Sequence, residues 1–278
     1  MSENFDRLVA LLEKLRSPGG CPWDREQTHD SLKPNLLEEA YEVLEAIDRG
    51  DAGRLREELG DLLLQVVFHA QIAAEDKRFT IEDVIARLNE KLVRRHPHVF
   101  GDMKSDEKPR TAAAVLAQWE VLKQNERQEK KQAGSVLDGV AVSLPALLRA
   151  LQIQERAARV GFDWPDAGGV IQKVEEECRE LRAAARQKPA ADGSEKRRVE
   201  EEFGDLLFAL VNLARFLAVN PEDALRRAIA RFIERFHYIE ERARQAGKEL
   251  RELTLEQMDA WWNEAKEAQR PQPAKPSR

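Results

Sequence analysis

The chain has few residues that build cross-links or zinc centres. It contains two cysteines, Cys21 and Cys178, and five histidines. These numbers exclude a disulfide framework and argue against a Cys/His zinc site, so we expect both thiols to be reduced in a cytoplasmic protein. No apolar run approaches the roughly 18–20 residues that span a membrane. The N-terminal segment MSENFDRLVALLEKLRSP is amphipathic and interrupted by charge, so we expect no signal peptide.

Glycine and proline are also scarce, at 14 and 12 residues, and aromatic residues make up only 6%. Charged residues reach 35% and hydrophobic residues 42%, with Ala, Leu, Glu and Arg abundant. This composition favours an all-α protein. The formal net charge of −6 argues against general nucleic-acid binding, and we expect none. A local basic cluster still suffices for a small phosphorylated ligand.

One sequence pattern occurs twice. Glu57-Glu58-Leu59-Gly60-Asp61 returns about 140 residues later as Glu201-Glu202-Phe203-Gly204-Asp205. Four more pairs follow the same order: Trp23 with Trp164, Glu38-Glu39-x-x-Glu42 with Glu176-Glu177-x-x-Glu180, Lys91-x-x-x-Arg95 with Arg231-x-x-x-Arg235, and Ala117-Gln118-Trp119 with Ala260-Trp261-Trp262. The shared order indicates an internal duplication. We expect an N-terminal unit over residues 1–130, a linker over 131–145, a C-terminal unit over 146–269 and a disordered tail over 270–278.

Apolar spacing within each unit predicts helices. Leu36, Ala40, Val43, Leu44 and Ile47 recur every three or four residues. Pro34 suits a first helical turn and Gly50 a helix end. A second helix is predicted over residues 55–72, and Thr80 with Asp83 predicts a capping box for a third. We expect residues 186–198 to form a polar loop, and no strand pattern is evident.

The repeated carboxylates share helix faces. Each pair is three residues apart: Glu39 with Glu42, Glu58 with Asp61, Glu177 with Glu180, and Glu202 with Asp205. A single such pair is typical of a solvated face. Here, however, the residues from Leu59 to Val67 are apolar nearly all round, which predicts a largely buried helix. Buried carboxylates need basic side chains or metal ions as partners.

Antiparallel packing of the two acidic helices of a unit gathers four carboxylates into one all-oxygen cluster. Such a ligand set suits Mg²⁺ or Mn²⁺ rather than zinc. Basic residues on a third helix, Lys91 with Arg95 or Arg231 with Arg235, could hold the oxygens of a polyphosphate. The alternatives for these residues are surface charge or salt bridges to the acidic helices.

These motifs resemble the MazG family, whose signature is Glu-Glu-x-x-Glu, a spacer, and Glu-x-x-Asp. Both copies are complete in this chain. Three further segments resemble the two-unit members of that family: Cys21-Pro22-Trp23-Asp24, Arg95-His96-Pro97-His98-Val99-Phe100 and Val160-Gly161-Phe162-Asp163-Trp164. The resemblance covers about residues 3–266. It implies a homodimer of helical-bundle units that hydrolyses a nucleoside triphosphate to monophosphate and pyrophosphate.

The resemblance also implies roles for individual residues and associates activity with the C-terminal unit. Glu177, Glu180, Glu202 and Asp205 are then the metal ligands, and Glu176 or Glu201 orients or deprotonates the water. Glu39, Glu42, Glu58 and Asp61 form a second site in the N-terminal unit. Trp262 stacks on a base in this interpretation, with core packing as the alternative.

The residues themselves also favour the C-terminal unit. Lys173 lies four residues before Glu177, where it could reach a phosphate, and its N-terminal counterpart is Asn35. Asn212 lies seven residues after Asp205, on the acidic face of the same helix, and its counterpart is Phe68. Gln65 is a polar exception on the corresponding face of the first unit, so that unit could still bind metal. Arg198 and Arg54 precede the second acidic pair in both units and do not discriminate.

Three alternatives stay open at this point. His96 and His98 could be ligands or bases, although a structural turn around Pro97 is favoured. The activity could be narrower, as in an all-helical dUTPase or a phosphoribosyl-ATP pyrophosphohydrolase. A non-catalytic nucleotide-binding regulator is the third, which the two complete acidic motifs disfavour.

Overall fold

The computed structural model describes residues 3–101, 108–111, 114–115, 118, 135–186 and 193–269. Within these residues the regular secondary structure is helical and no strand occurs, which confirms the all-α prediction. The chain divides into two compact units, Met1–Ala133 and Gly134–Arg278.

The structure gives the bounds of six helices in the N-terminal unit. They are α1 (Glu3–Arg16), α2 (Pro22–Glu26), α3 (Lys33–Arg49), α4 (Ala52–Glu75), α5 (Ile81–Arg95) and α6 (Pro97–Phe100). Helices α3 and α4 pack against each other, and α1 and α5 pack on α4. Leu12, Leu32, Val67, Phe68 and Ile72 form the core between them. The fold of this unit therefore centres on α4.

The predicted helix boundaries follow local chemistry. Gly50 ends α3 in the left-handed conformation, at φ 66°, where a side chain is disfavoured. Asp51 then caps α4 by accepting hydrogen bonds from the amides of Gly53 and Arg54. Thr80 and Asp83 form the predicted capping box. The resulting tight turn brings the first acidic helix back against the second.

The C-terminal unit has five α-helices in its described part. They are α7 (Ala146–Arg159), α8 (Ala167–Ala184), α9 (Ser194–Phe216), α10 (Pro221–Gln245) and α11 (Leu255–Ala268), with a 3₁₀ turn at Leu250–Glu252 before α11. Helices α8 and α9 pack together, α7 packs on α9, and α10 packs on both α7 and α11. The α8–α9 pair is the counterpart of α3–α4.

Two expectations about helices need correction. Residues 194–198 belong to α9, not to the predicted polar loop, because Glu195, Lys196 and the arginines that follow are good helix formers. The 59–67 stretch is not largely buried within this chain. Leu59, Leu63 and Val66 are 49%, 40% and 41% exposed, while Glu58, Gln65 and Val67 are buried. Periodicity alone located the apolar face without showing what covers it.

Several sequence expectations fall outside the described residues. These are the positions Ala117 and Trp119, residues 131–134 of the linker, residues 187–192 of the loop and the tail 270–278. The described linker residues 135–145 contain turns but no helix. His96 connects α5 to α6, as the predicted turn requires. Among the described helices, none combines the length and apolarity needed to cross a bilayer.

Candidate functional site

The α8–α9 pair brings all four predicted C-terminal metal ligands together around Glu177. Carboxylate oxygens of Glu177, Glu202 and Asp205 lie within 4.8 Å of one another. Glu176, Glu177 and Glu180 form a second group that meets the same limit. Glu177, only 4% exposed, belongs to both groups. The three-residue spacing on each helix and the packing of the two helices together produce this all-oxygen cluster, which could hold a hard cation.

Lys173 is the cation that now neutralises the buried end of the cluster. Its Nζ lies 2.6 Å from Oε1 of Glu176 and 2.8 Å from Oε1 of Glu177. The hydrogen bonds to Glu176 and Glu177 raise the pKa of Lys173, and the same lysine lowers the pKa of Glu176. The predicted position of Lys173 on the acidic face is therefore correct. Whether it contacts a phosphate stays a prediction.

Arg198 and Glu201 also lie on α9, but neither lies within the carboxylate cluster. Nε of Arg198 lies 3.7 Å from Oε1 of Glu202, and the arginine side chain is more than half exposed. Such a pair is weak. Glu201 is exposed and belongs to neither carboxylate group. Of the two predicted catalytic candidates, Glu176 therefore lies in the cluster and Glu201 beside it.

The N-terminal unit has a related cluster with a different charge balance. Oxygens of Glu39, Glu58 and Asp61 lie within 4.8 Å of one another. Nε of Arg54 donates to Oε1 of Glu58 over 3.0 Å. A hydrogen bond from Glu42 to Glu58, with the charge of Glu58, raises the pKa of Glu42. Burial raises the pKa of Glu39, and Asp61 adds to it. Arg54 thus competes with any cation for this cluster.

Two residue differences at corresponding positions further distinguish the two clusters. Asn35 stands where the second unit has Lys173. Phe68 stands where it has Asn212, and its ring is buried in the core of the first unit. Asn212 instead lines a cavity. The predicted polar differences between the units therefore coincide with a structural difference beside the carboxylates.

A cavity of about 810 Å³ adjoins the carboxylate cluster of the second unit. Its polar lining consists of Gln154, Asp163, Lys173, Glu177, Asp205, Asn212 and Arg215. Its apolar lining includes Leu137, Ile153, Phe162, Trp164 and Phe208. Carboxylates at one side of an aromatic cavity provide separate places for a metal-bound polyphosphate and for a flat apolar group.

Arg215 fixes one wall of this cavity. It forms a bidentate ion pair with Asp163, with Nη1 of Arg215 2.9 Å from Oδ2. Its Nε donates to Oδ1 of Asn212 over 3.0 Å. The pairing lowers the pKa of Asp163. Trp164 lies against Gly169, where an added Cβ would be 2.7 Å from the indole. The segment before α8 is thereby held against α9.

The remaining predicted substrate-binding residues lie on α10 and α11. The ring of Trp262 is 5.1 Å from that of Phe232, and the guanidinium of Arg235 lies 5.4 Å from the Trp262 ring centre. Arg235 also donates to Gln269. Arg231 is exposed. None of the three predicted residues lines the cavity described above. Their contact with substrate stays a prediction.

Sequence reasoning missed the place of three polar residues in the cavity wall: Gln154, Asp163 and Arg215. Gln154 had a detectable signal, because it follows Leu147 and Leu151 at helical spacing and is the polar member of that face. The pair of Asp163 and Arg215 had none, since the two residues are 52 positions apart.

The fold and the paired carboxylate clusters define an all-helical protein with a tandem, oxygen-rich site. A sequence profile described as the MazG nucleotide pyrophosphohydrolase domain matches residues 27–100 and again 169–239. The chain is 52% identical over 262 residues to the nucleoside triphosphate pyrophosphohydrolase/pyrophosphatase MazG of Thermotoga maritima, covering 94% of this chain and 95% of that one.

Two further relatives bear similar names. The nucleoside triphosphate pyrophosphohydrolase of Escherichia coli K12 is 48% identical over 263 residues, covering 94% of this chain and 97% of its own. That of Mycobacterium tuberculosis is 47% identical over 167 residues, covering 58% and 48%. The chain therefore belongs to the MazG nucleotide pyrophosphohydrolase family, and both repeats carry the family's domain.

Proposed function

We propose that this chain hydrolyses nucleoside and deoxynucleoside triphosphates between the α- and β-phosphates, and that the C-terminal unit does so with Mg²⁺ or Mn²⁺. The observation that carries the proposal is the carboxylate cluster of Glu177, Glu202 and Asp205 at the edge of an aromatic cavity. The family name and the names of the relatives agree with this reaction.

We assign a role to each residue of the cluster from its position. Glu177, Glu180, Glu202 and Asp205 would hold the metal, whose bound form neutralises phosphate charge and supplies a water of lowered pKa. Glu176 is the better placed of the two candidate bases, because its carboxylate groups with those of Glu177 and Glu180, whereas Glu201 belongs to neither group. Lys173, which lies beside Glu177, would be within reach of phosphate oxygens once a cation neutralised Glu177.

The lining of the cavity supports a proposal for where the nucleoside binds. Phe162, Trp164 and Phe208 offer aromatic faces beside the carboxylates. We place the base there, with the triphosphate directed toward Glu177 and Asp205. Arg231, Arg235 and Trp262 are assigned to a second set of contacts with the same nucleotide.

We also propose a homodimer, since exposed apolar residues continue along two helices of the second unit. Phe203 and Leu207 on α9 and Ile229 and Phe232 on α10 are each 40–56% exposed. Apolar stripes of this extent are typical of an interface. The first unit repeats the feature on α4. A cytoplasmic location accords with the two free thiols, Cys21 and Cys178.

Product analysis tests the reaction directly. The protein is incubated with each of the eight common nucleoside triphosphates, with Mg²⁺ or with a chelator, in water enriched in ¹⁸O. We expect monophosphate and pyrophosphate in equal amounts only with Mg²⁺. Diphosphate and inorganic phosphate would contradict the proposed bond, and absence of any product would favour a binding role.

A further inference from the structure

Gln154 is a buried polar side chain that the proposed chemistry does not use. It lies on α7, is 7% exposed and lines the cavity beside Phe208. Its Nε2 donates to the carbonyl oxygen of Phe208 over 2.8 Å. Its Oε1 is buried and has no hydrogen-bond partner among the described residues.

The orientation of this amide follows from chemistry. A carbonyl oxygen can only accept, so the atom of Gln154 that approaches the carbonyl of Phe208 must be the amide nitrogen. The other atom of the amide is therefore the oxygen, which is fixed as an acceptor. A buried acceptor without a partner is unfavourable, and a donor supplied by a ligand removes that cost.

The cavity's own cationic donors are already engaged. Lys173 is held by Glu176 and Glu177, and Arg215 is held by Asp163 and Asn212. The aromatic residues nearby offer faces for stacking. A planar group with an N–H at its edge can therefore stack on the aromatic rings and donate a hydrogen bond to Oε1 of Gln154.

We propose that Gln154 is a specificity-determining residue that accepts a hydrogen bond from an N–H on the Watson–Crick edge of the nucleobase; this inference rests on the proposed function. Adenine and cytosine offer an amino group there, and guanine and uracil offer a ring N–H. This single acceptor thus favours triphosphates whose base has such an N–H over those whose base lacks it. All the common bases have one, so all are accepted.

The test compares ATP with purine riboside 5′-triphosphate, which differs only by lacking the 6-amino group. Wild type, Gln154→Met and Gln65→Met are measured with Mg²⁺ for kcat/KM and, by calorimetry, for Kd. Gln65 is the matched control, because it is also buried and its Oε1 also has no partner among the residues that the structure describes, but it lies in the first unit.

We expect wild type and Gln65→Met to prefer ATP about tenfold, which corresponds to about 1.4 kcal/mol. We expect the ratio to fall to about one in Gln154→Met, with its melting temperature near that of wild type. Equal use of both triphosphates by wild type, or an unchanged preference in Gln154→Met, would overturn the role of Gln154. Absence of turnover alone would count against the proposed hydrolysis, while the Kd ratio still decides the role of Gln154.

Discussion

The Nζ of Lys173 lies 2.8 Å from Oε1 of Glu177, the most buried carboxylate in the described part of the second unit. In the corresponding carboxylate cluster of the first unit, Arg54 pairs with Glu58 and donates a hydrogen bond to it. A lysine is a compact, mobile charge, whereas an arginine is a planar group with fixed donors. The first unit therefore presents fixed guanidinium donors to its carboxylates, and the second unit presents a compact ammonium.

Lys173→Met is expected to increase the thermal stabilisation that Mg²⁺ provides. Removing the ammonium leaves Glu177 without its cation, so the metal-free protein is destabilised and gains more from a bound cation. Melting temperatures are measured with chelator and with Mg²⁺. Lys196→Met is the control, because Lys196 is largely exposed and lies 4.0 Å from Glu200. Equal Mg²⁺-dependent shifts in the two variants would contradict the role assigned to Lys173.

Arg16→Met is expected to lower the free energy of unfolding by about 1–3 kcal/mol. The side chain of Arg16 is 6% exposed, and its guanidinium donates two hydrogen bonds of 2.8 Å to Glu75. It also donates to the carbonyl of Gln27. Methionine retains the stem but none of these donors. Urea denaturation followed by circular dichroism measures the change.

The control for this substitution is Arg25→Met, because Arg25 is exposed on α2. It should leave the midpoint of denaturation unchanged. The account of Arg16 fails if the two variants unfold at the same urea concentration.

Stability is expected to fall as the pH drops below about 6.5, the ordinary pKa of histidine. The guanidinium of Arg78 donates to Nε2 of His29 over 2.7 Å, so the proton of His29 is on Nδ1 and is donated to Nδ1 of His69. Burial, and then His29, lower the pKa of His69. The folded state thus favours neutral His69, and its contribution is present above the unfolded pKa and lost as the pH falls.

Melting temperatures between pH 7.5 and pH 5 measure this effect. His69→Gln should flatten the dependence, while the control His237→Gln, at an exposed position, should retain the wild-type slope. Parallel curves for all three proteins would show that the imidazole pair contributes nothing.

Leu207→Glu is expected to convert the proposed dimer to a monomer. Leu207 is 40% exposed on α9, within the apolar face assigned to the second copy, and a charge there must be desolvated on association. Light scattering after size exclusion should give twice 31.8 kDa for wild type and 31.8 kDa for the variant. Val142→Glu, at a 78% exposed position before α7, is the control. A monomeric wild type would refute the dimer.

Features set by local sequence were predictable. Gly50 and the pair of Thr80 and Asp83 end and begin helices where their chemistry requires, and carboxylates three residues apart share a helix face whatever the tertiary context. The prediction that residues 59–67 are largely buried was wrong. An apolar pattern is the same whether a helix packs inside the chain or exposes that face to a partner.

The cavity could not be predicted from spacing. Its wall depends on the pairing of Asp163 with Arg215, and its buried acceptor on the contact of Gln154 with Phe208, residues more than 50 positions apart in both cases. These contacts exist only after α7, α8 and α9 have packed. The carboxylate cluster was predictable because it depends on residue spacing within helices. The shape of the cavity beside it was not, because it depends on how the helices pack.

The most direct measurement compares pyrophosphate release from ATP with Mg²⁺ by wild type, Glu58→Gln and Glu202→Gln. The two substitutions are isosteric and remove corresponding carboxylates from the two clusters. Circular dichroism establishes that each variant is folded. We predict that Glu202→Gln loses at least about 100-fold in kcat, since a ligand of the metal that stabilises phosphate charge is removed. Glu58→Gln should retain most activity. Loss with Glu58→Gln and retention with Glu202→Gln would contradict the assignment of catalysis to the second unit.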